Sequence, residues 1–297
     1  MIEIRCVVES ADQLGESPLW SNTENCVYWL DHTNPMLHRY EPGSGDHRSW
    51  KTPEGVGAIG IRAKGGLVAG MKSGFGFIDL PSGELSSVVN PEKGIQHNRM
   101  NDGKCDRGGR FWCGSMNVRF TETYEPTASL YRFDPDGTCH KMETGIIVTN
   151  GIAFSPDDRT MYLSDSSGKT VWAYDFDVAA GTISNRREFI SSYNLPGHSG
   201  KIDGATVDTD GCYWAAIPYD GLIVRYTPKG RPDRVYRMPV SNPTMPAFGG
   251  PNLDVMYVTS TTNLLNGWQR RVQAIEGRLL EITGLGVKGL PEPQFLG

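Results

Sequence analysis

Short stretches in which apolar and polar residues alternate recur along the chain, as in LYRFD at 130–134 and VWAYDFD at 171–177. Alternation with a period of two puts one face of an extended segment in a core and the other in water, which predicts half-buried β-strands. Each apolar or aromatic stretch is followed by a turn and a second strand that ends in acid or proline with glycine. This unit occurs six times: NCVYWLDHTNPMLHRYEPGSG, GGLVAGMKSGFGFIDLPSG, GRFWCGSM with ASLYRFDPDG, RTMYLSDSSGKTVWAYDFDVAAG, GCYWAAIPYDGLIVRYTPKG, and LDVMYVTS with GRLLEITG. No segment sustains a helical period. LLNGWQRRVQAIEG at 264–277 comes nearest and is interrupted by Gly267.

One anchor per copy sets the period: Tyr28, Val68, Trp112, Tyr162, Trp214 and Tyr257, separated by 40, 44, 50, 52 and 43 residues. Four-stranded propeller blades repeat at about this length. The prediction is an all-β fold, a six-bladed β-propeller spanning residues 1–297 as a single domain. Composition agrees, because 36 glycines and 19 prolines supply turns for many short strands and no tract is set apart as a linker. Radial repetition also removes the sheet edges that an open stack of strands would expose.

Counting back 10 to 13 residues from each anchor reaches the start of the innermost strand, the one that lines the channel. Those positions hold Glu16, Ala58, Asn101 with Asp102, Asn150, Asp203 and Thr244. Taken singly, Asp203-Gly204 is a common turn dipeptide, since Asp tolerates left-handed backbone and Gly reaches positive φ freely. Taken together, equivalent positions of a closed ring converge at one mouth. Carboxylates packed there repel one another and lose solvation, a cost that a divalent cation removes. Glu16 and Asp203 would neutralise the ion and Asn150 would add a neutral oxygen, leaving positions for water and substrate. Such an oxygen set suits Ca²⁺, Mg²⁺ or Mn²⁺, and Zn²⁺ or Fe²⁺ accept it when water completes the shell.

Charge and composition narrow the function. A formal net charge of −5, with Arg186-Arg187 and Arg270-Arg271 as the densest basic pairs, argues against nucleic acid, whose binders need a basic stripe. No apolar run approaches the roughly 20 residues of a membrane helix, and MIEIRCVVESADQ has neither a basic nor an apolar leader region, so a cytoplasmic chain is expected. Cys6, Cys26, Cys105, Cys113, Cys139 and Cys212 show no C-x-x-C spacing and are expected to stay reduced, mostly as small buried apolar groups. The six histidines are equally scattered, which disfavours a histidine-based metal centre.

GESPLW at 15–20, RMNDGKCDRGGRFWCGSM at 99–116, NGIAFSPDDRTMYLSDS at 150–166, SNRREF at 184–189, DGATVDTDGCYWAA at 203–216, and FGGPNLDVMYVTS with GVKGLPEPQF near the end resemble the regucalcin, senescence marker and gluconolactonase family. The similarity is collinear over almost the whole chain. It implies a six-bladed propeller with one divalent metal at the channel mouth, held by Glu16, Asn150 and Asp203, and substrate contacts from Arg99 and Asn101. The pattern departs at Ile202, where the family commonly has proline, and the loop VRFTETYEPTA after Met116 matches no lid of the relatives.

The chemistry expected is metal-dependent opening of a sugar lactone to an aldonic acid. A Lewis acid polarises the lactone carbonyl, and Asp203 is the general-base candidate by position. Arg99 and Asn101, two residues apart on one side of an extended segment, can hydrogen-bond sugar hydroxyls or a developing oxyanion. A serine nucleophile is disfavoured by the lack of G-x-S-x-G. The connections 117–128 and 261–276, and those around His32, Ser166 and Tyr219, should wall the pocket, with Tyr124, Tyr219, Trp268 and His198 as candidate contacts. Two alternatives stand beside this reading: a phosphotriester or other ester hydrolase on the same fold, and a calcium-binding regulatory propeller whose ion is purely structural.

Overall fold

Two of the turns that join a first strand to an anchor strand are tied to the anchor itself. Asp106 accepts hydrogen bonds from the Arg110 N–H at 3.0 Å and from the Trp112 indole at 2.8 Å. Asp208 does the same for the Cys212 N–H at 2.9 Å and the Trp214 indole at 2.8 Å, and Ser155 accepts from the Thr160 N–H at 2.9 Å. A short polar side chain at this point satisfies the turn backbone and starts the next strand in register.

The protein is described here by a computed structural model covering residues 1–80, 82–191, 201–262 and 274–297. These residues form 24 strands in six antiparallel four-stranded sheets, with no α-helix among the described residues. The sheets are the blades of a six-bladed propeller. Their inner strands are Gly15–Ser21, Val56–Ile61, Asn98–Cys105, Thr149–Phe154, Ala205–Val207 and Pro243–Gly249. All six repeat anchors fall in second strands, and all are buried. The predicted fold and repeat are therefore both observed.

The core is divided among the seams between neighbouring blades. Tyr162 packs with Tyr213 between blades 4 and 5, Trp214 with Phe248 between blades 5 and 6, and Trp20 with Tyr257 between blades 6 and 1. Blade 6 contains a feature that the internal repeat does not show: its outer strand is Glu3–Val8, paired with Leu279–Thr283. The N-terminus thus closes the ring. The C-terminal segment crosses the far mouth, where Gly289 bridges Asp208, Phe295 bridges Arg62, and Lys104 pairs with Glu292 at 3.1 Å.

All six cysteines are free thiols; Cys26, Cys105, Cys113 and Cys212 are buried, and Cys6 and Cys139 half-buried. Among the described residues no helix is long and apolar enough to cross a membrane. Most of the segment 264–277, including Trp268 and Arg270-Arg271, lies outside the described residues, as does His198.

Candidate functional site

At the near mouth, inner strands lose register beside the site residues. The pairing slips between Glu16 and Leu19, between Met100 and Gly103, and between Asn150 and Ala153. A bulge inserts an unpaired residue and turns the strand, which re-aims the side chain before it. Ser17 and Gly151, the residues that follow Glu16 and Asn150, adopt left-handed backbone with φ of 52° and 58°. An alanine at 151 would place its Cβ 2.2 Å from the Tyr213 hydroxyl, so glycine is required there. Asp203 precedes its strand, and its N–H donates to Ala216 O at 3.0 Å.

These local devices bring Glu16, Arg99, Asn101, Asn150 and Asp203 to one cavity of about 100 Å³. A chain of hydrogen bonds orients the amides. Arg99 donates to Asn101 Oδ1 at 2.8 Å, and Asn101 Nδ2 donates to Thr149 O at 2.8 Å and to Asn150 Oδ1 at 2.9 Å. Asn150 Nδ2 in turn donates to Ser166 Oγ at 2.8 Å. With its donor end occupied by Ser166, Asn150 keeps a lone pair of Oδ1 available on the cavity side.

The electrostatics are those of a site built around missing positive charge. Burial pushes the Glu16 carboxyl well above the usual range, with further increases from Asp203 and Asp102; Arg99 opposes the shift. Asp203 is pushed up to about 8 by burial and by Asp102, again against Arg99. Burial lowers Arg99 to about 10 even though Glu16 and Asp203 favour its charge. One guanidinium does not compensate the carboxylates. A divalent cation held by two carboxylates and one oriented amide oxygen fits this donor set. Among the described residues no group of three or more His, Cys, Asp or Glu is arranged to hold a metal, so any ion here depends on the carboxamide.

Comparison with known proteins places this geometry in a family. The profile of the SMP-30/gluconolactonase/LRE-like region matches residues 14–262, which contain all five site residues. The chain belongs to that family. Within it, the chain is similar to 6-deoxy-6-sulfogluconolactonase of Pseudomonas putida, with 33% identity covering 99% of both chains. It is also similar to pentonolactonase XacC of Haloferax volcanii, with 33% identity over 86% of this chain and 84% of the relative. Among solved structures, regucalcin of Agrobacterium tumefaciens, described as a calcium-binding protein, superposes with a TM-score of 0.90 at 27% identity, covering 99% of this chain and 97% of that one.

The walls of this family member's cavity follow the expected connections in part. Met116 and Phe120, Ser166 and Ser167, and Pro218 and Tyr219 line it. His32 does not: its Nδ1 lies 3.1 Å from Val56 O and its ring packs against Gly55. Tyr124 is 60% exposed and absent from the lining; Phe120, on the same connection, takes that place.

Two residues are more important than their sequence context suggests. Asp102 accepts from the Gly103 N–H at 2.8 Å and, across the blade seam, from the Ile152 N–H at 2.9 Å, so it locks blade 3 to blade 4. Its charge adds to the rise that burial chiefly causes in both Glu16 and Asp203, while burial pushes its own carboxyl to about 6. Lys201 lines the cavity with its ammonium 5.5 Å from the centre of the Tyr219 ring. Its only signal in the sequence is its position two residues before Asp203.

Proposed function

We propose that this protein hydrolyses sugar lactones to aldonic acids, using a divalent cation held by Glu16, Asn150 and Asp203. The convergence of two charge-strained carboxylates and one oriented amide on a single cavity supports this reading. So do the two relatives named as lactonases. When bound, the cation supplies Lewis acidity toward the lactone carbonyl, the one part of the reaction that side chains alone provide poorly.

The chain's own groups carry the remaining steps. The Arg99 guanidinium, anchored on Asn101 and on Met100 O at 2.9 Å, presents fixed positive charge to the oxygen that becomes anionic as water adds to the carbonyl carbon. The Asp203 carboxylate takes the proton of the attacking water. The new C–O bond forms, the ring C–O bond breaks, and the same proton passes to the departing ring oxygen. Asn101 acts as a positioning residue as much as a substrate contact, because both of its N–H groups are committed to Thr149 O and Asn150 Oδ1.

The test is acid release measured in a pH-stat from glucono-, xylono-, galactono- and arabinonolactone, before and after chelation and with Ca²⁺, Mg²⁺, Mn²⁺, Zn²⁺ or Fe²⁺ restored. We expect turnover that chelation removes and at least one ion restores, and that Asp203→Ala and Asn150→Ala abolish with the β circular-dichroism spectrum unchanged. Calcium binding without turnover of any lactone would refute the enzymatic assignment. Full activity in both variants would refute the site.

A further inference from the structure

The cavity has a second electrostatic end. Its floor is acidic, but Lys201 stands on its wall, in the segment that leads to Asp203. The buried Ile202 between them is held through its carbonyl, which accepts from Ser164 Oγ at 3.2 Å and from Ser166 Oγ at 2.5 Å. Lys201 and Asp203, on either side of this anchored residue, both line the cavity. The lysine is not there to neutralise the floor. No ion pair joins it to Glu16 or Asp203, and among the described residues no carboxylate pairs with Lys201 or with Lys169, the nearest charge acting on it. In a chain with a net charge of −5, two neighbouring lysines, unpaired among the described residues, mark a local cationic rim.

The platform under the ammonium is strained. Tyr219 has φ of +69°, a conformation that bulky residues rarely adopt. It is held there by its N–H donating to Asn242 Oδ1 at 3.1 Å, and Asn242 is buried and bonded through Nδ2 to Glu276 at 3.2 Å. Backbone strain maintained by a buried polar clamp points to a positional requirement for the side chain. Here the ring carries Lys201 over its face at the wall of the cavity that both residues line, where the ammonium has N–H donors to offer a ligand. Ser167, between Ser166 and the rim residue Lys169, adds a hydroxyl on the same wall.

Resting on the lactonase reading of this site, we infer that Lys201, with Lys169 and Ser167, forms a subsite for an anionic substituent on the end of the substrate remote from its lactone carbonyl. The favoured substrate class is an aldonolactone carrying phosphate, sulfonate or carboxylate at its last carbon. With the carbonyl on the acidic floor, the terminal anion meets the cationic rim; the reverse orientation would set that anion against Glu16 and Asp203. The arrangement therefore fixes the direction of binding as well as the class of substrate.

The experiment compares kcat/KM for 6-phosphogluconolactone and gluconolactone in the wild type, in Lys201→Met, which keeps the apolar stem, and in Lys201→Arg, which keeps the charge. We expect the wild type to prefer the phosphorylated lactone. Lys201→Met should reduce that ratio by about 10–100-fold, the worth of one hydrogen bond to a charged group, chiefly through KM, and Lys201→Arg should restore most of it. The 6-sulfonate and the 6-carboxylate lactones, run in parallel, tell which anion the rim favours. Equal kcat/KM for charged and neutral lactones in the wild type, or a ratio unmoved by Lys201→Met, overturns the subsite. If no lactone turns over, the lactonase reading fails while the subsite stays testable. Calorimetric binding of 6-phosphogluconate must then exceed that of gluconate in the wild type and lose the advantage in Lys201→Met, and equal binding overturns it.

Discussion

At the residue scale, the site is governed by which lone pairs and protons remain unspent. Asn150 is useful to a cation only with its oxygen inward, and Ser166 Oγ, 2.8 Å from Nδ2, enforces that orientation. Ser166→Ala removes this restraint, and with it one of the two hydroxyls that anchor Ile202 beside Asp203, while keeping every candidate ligand. It should weaken cation affinity by about 10–100-fold, the usual effect of losing an outer partner of a ligand, measured by titrating metal into chelated protein. His32 carries a separate pH dependence. Burial, followed by the charge of Arg99, lowers its pKa from 6.5 to about 3. Above pH 6.5 the folded and unfolded chains are both neutral at this residue. As pH falls from 6.5 toward 3, the unfolded chain takes up a proton that the folded chain refuses, so stability is lost across that window. Urea unfolding at stepped pH should show this acid-side loss in the wild type and a shallower slope in His32→Gln.

At the scale of single elements, the decisive objects are the bulges that follow Glu16 and Asn150. A regular strand would alternate side chains between faces, and the bulge instead turns the terminal one toward the channel. Gly151→Ala should destabilise the protein by more than the roughly 1–2 kcal/mol of a left-handed alanine, because the added methyl also meets the Tyr213 hydroxyl. Tyr213→Phe tests the other side of that contact: it removes the 2.8 Å hydrogen bond to Gly151 O and should cost about 1–3 kcal/mol for a buried acceptor left unpaired. Denaturant midpoints of both variants check the pair. The Asn-Gly dipeptide signals a turn in the sequence, but whether it forms a free turn or a bulge depends on the neighbouring strand.

At the scale of the whole molecule, closure makes the site. Glu16 in blade 1 and Asp203 in blade 5 share a cavity because blade 6, completed by Glu3–Val8, returns the chain to its start. Deleting residues 1–8 exposes the edge of Leu279–Thr283 and should yield an aggregating chain with lost cooperativity, visible by size-exclusion chromatography and thermal melting. Arg5→Ala, which leaves the strand in place and breaks only its half-exposed pair with Glu281, should change stability by no more than about 1 kcal/mol. The contrast separates backbone closure from side-chain pairing.

Alternation, turn residues and a period of 40 to 52 residues are local properties, so strands, blades and the polar starts of inner strands could be read directly from the order of residues. Glu16, Asn150 and Asp203 stood out because a ring makes equivalent positions converge. Other features depend on partners far away in the chain. Asp102 has only its place beside Asn101 to mark it until Ile152 of the next blade donates to it, and Lys201 only its place two residues before Asp203 until Tyr219 lies beneath it. The N-terminal strand has no counterpart in the repeat, since its role exists only once the ring has closed. Local pattern sets which side chains can be offered, whereas burial, charge and hydrogen-bond partners across the seams arise only when distant blades meet.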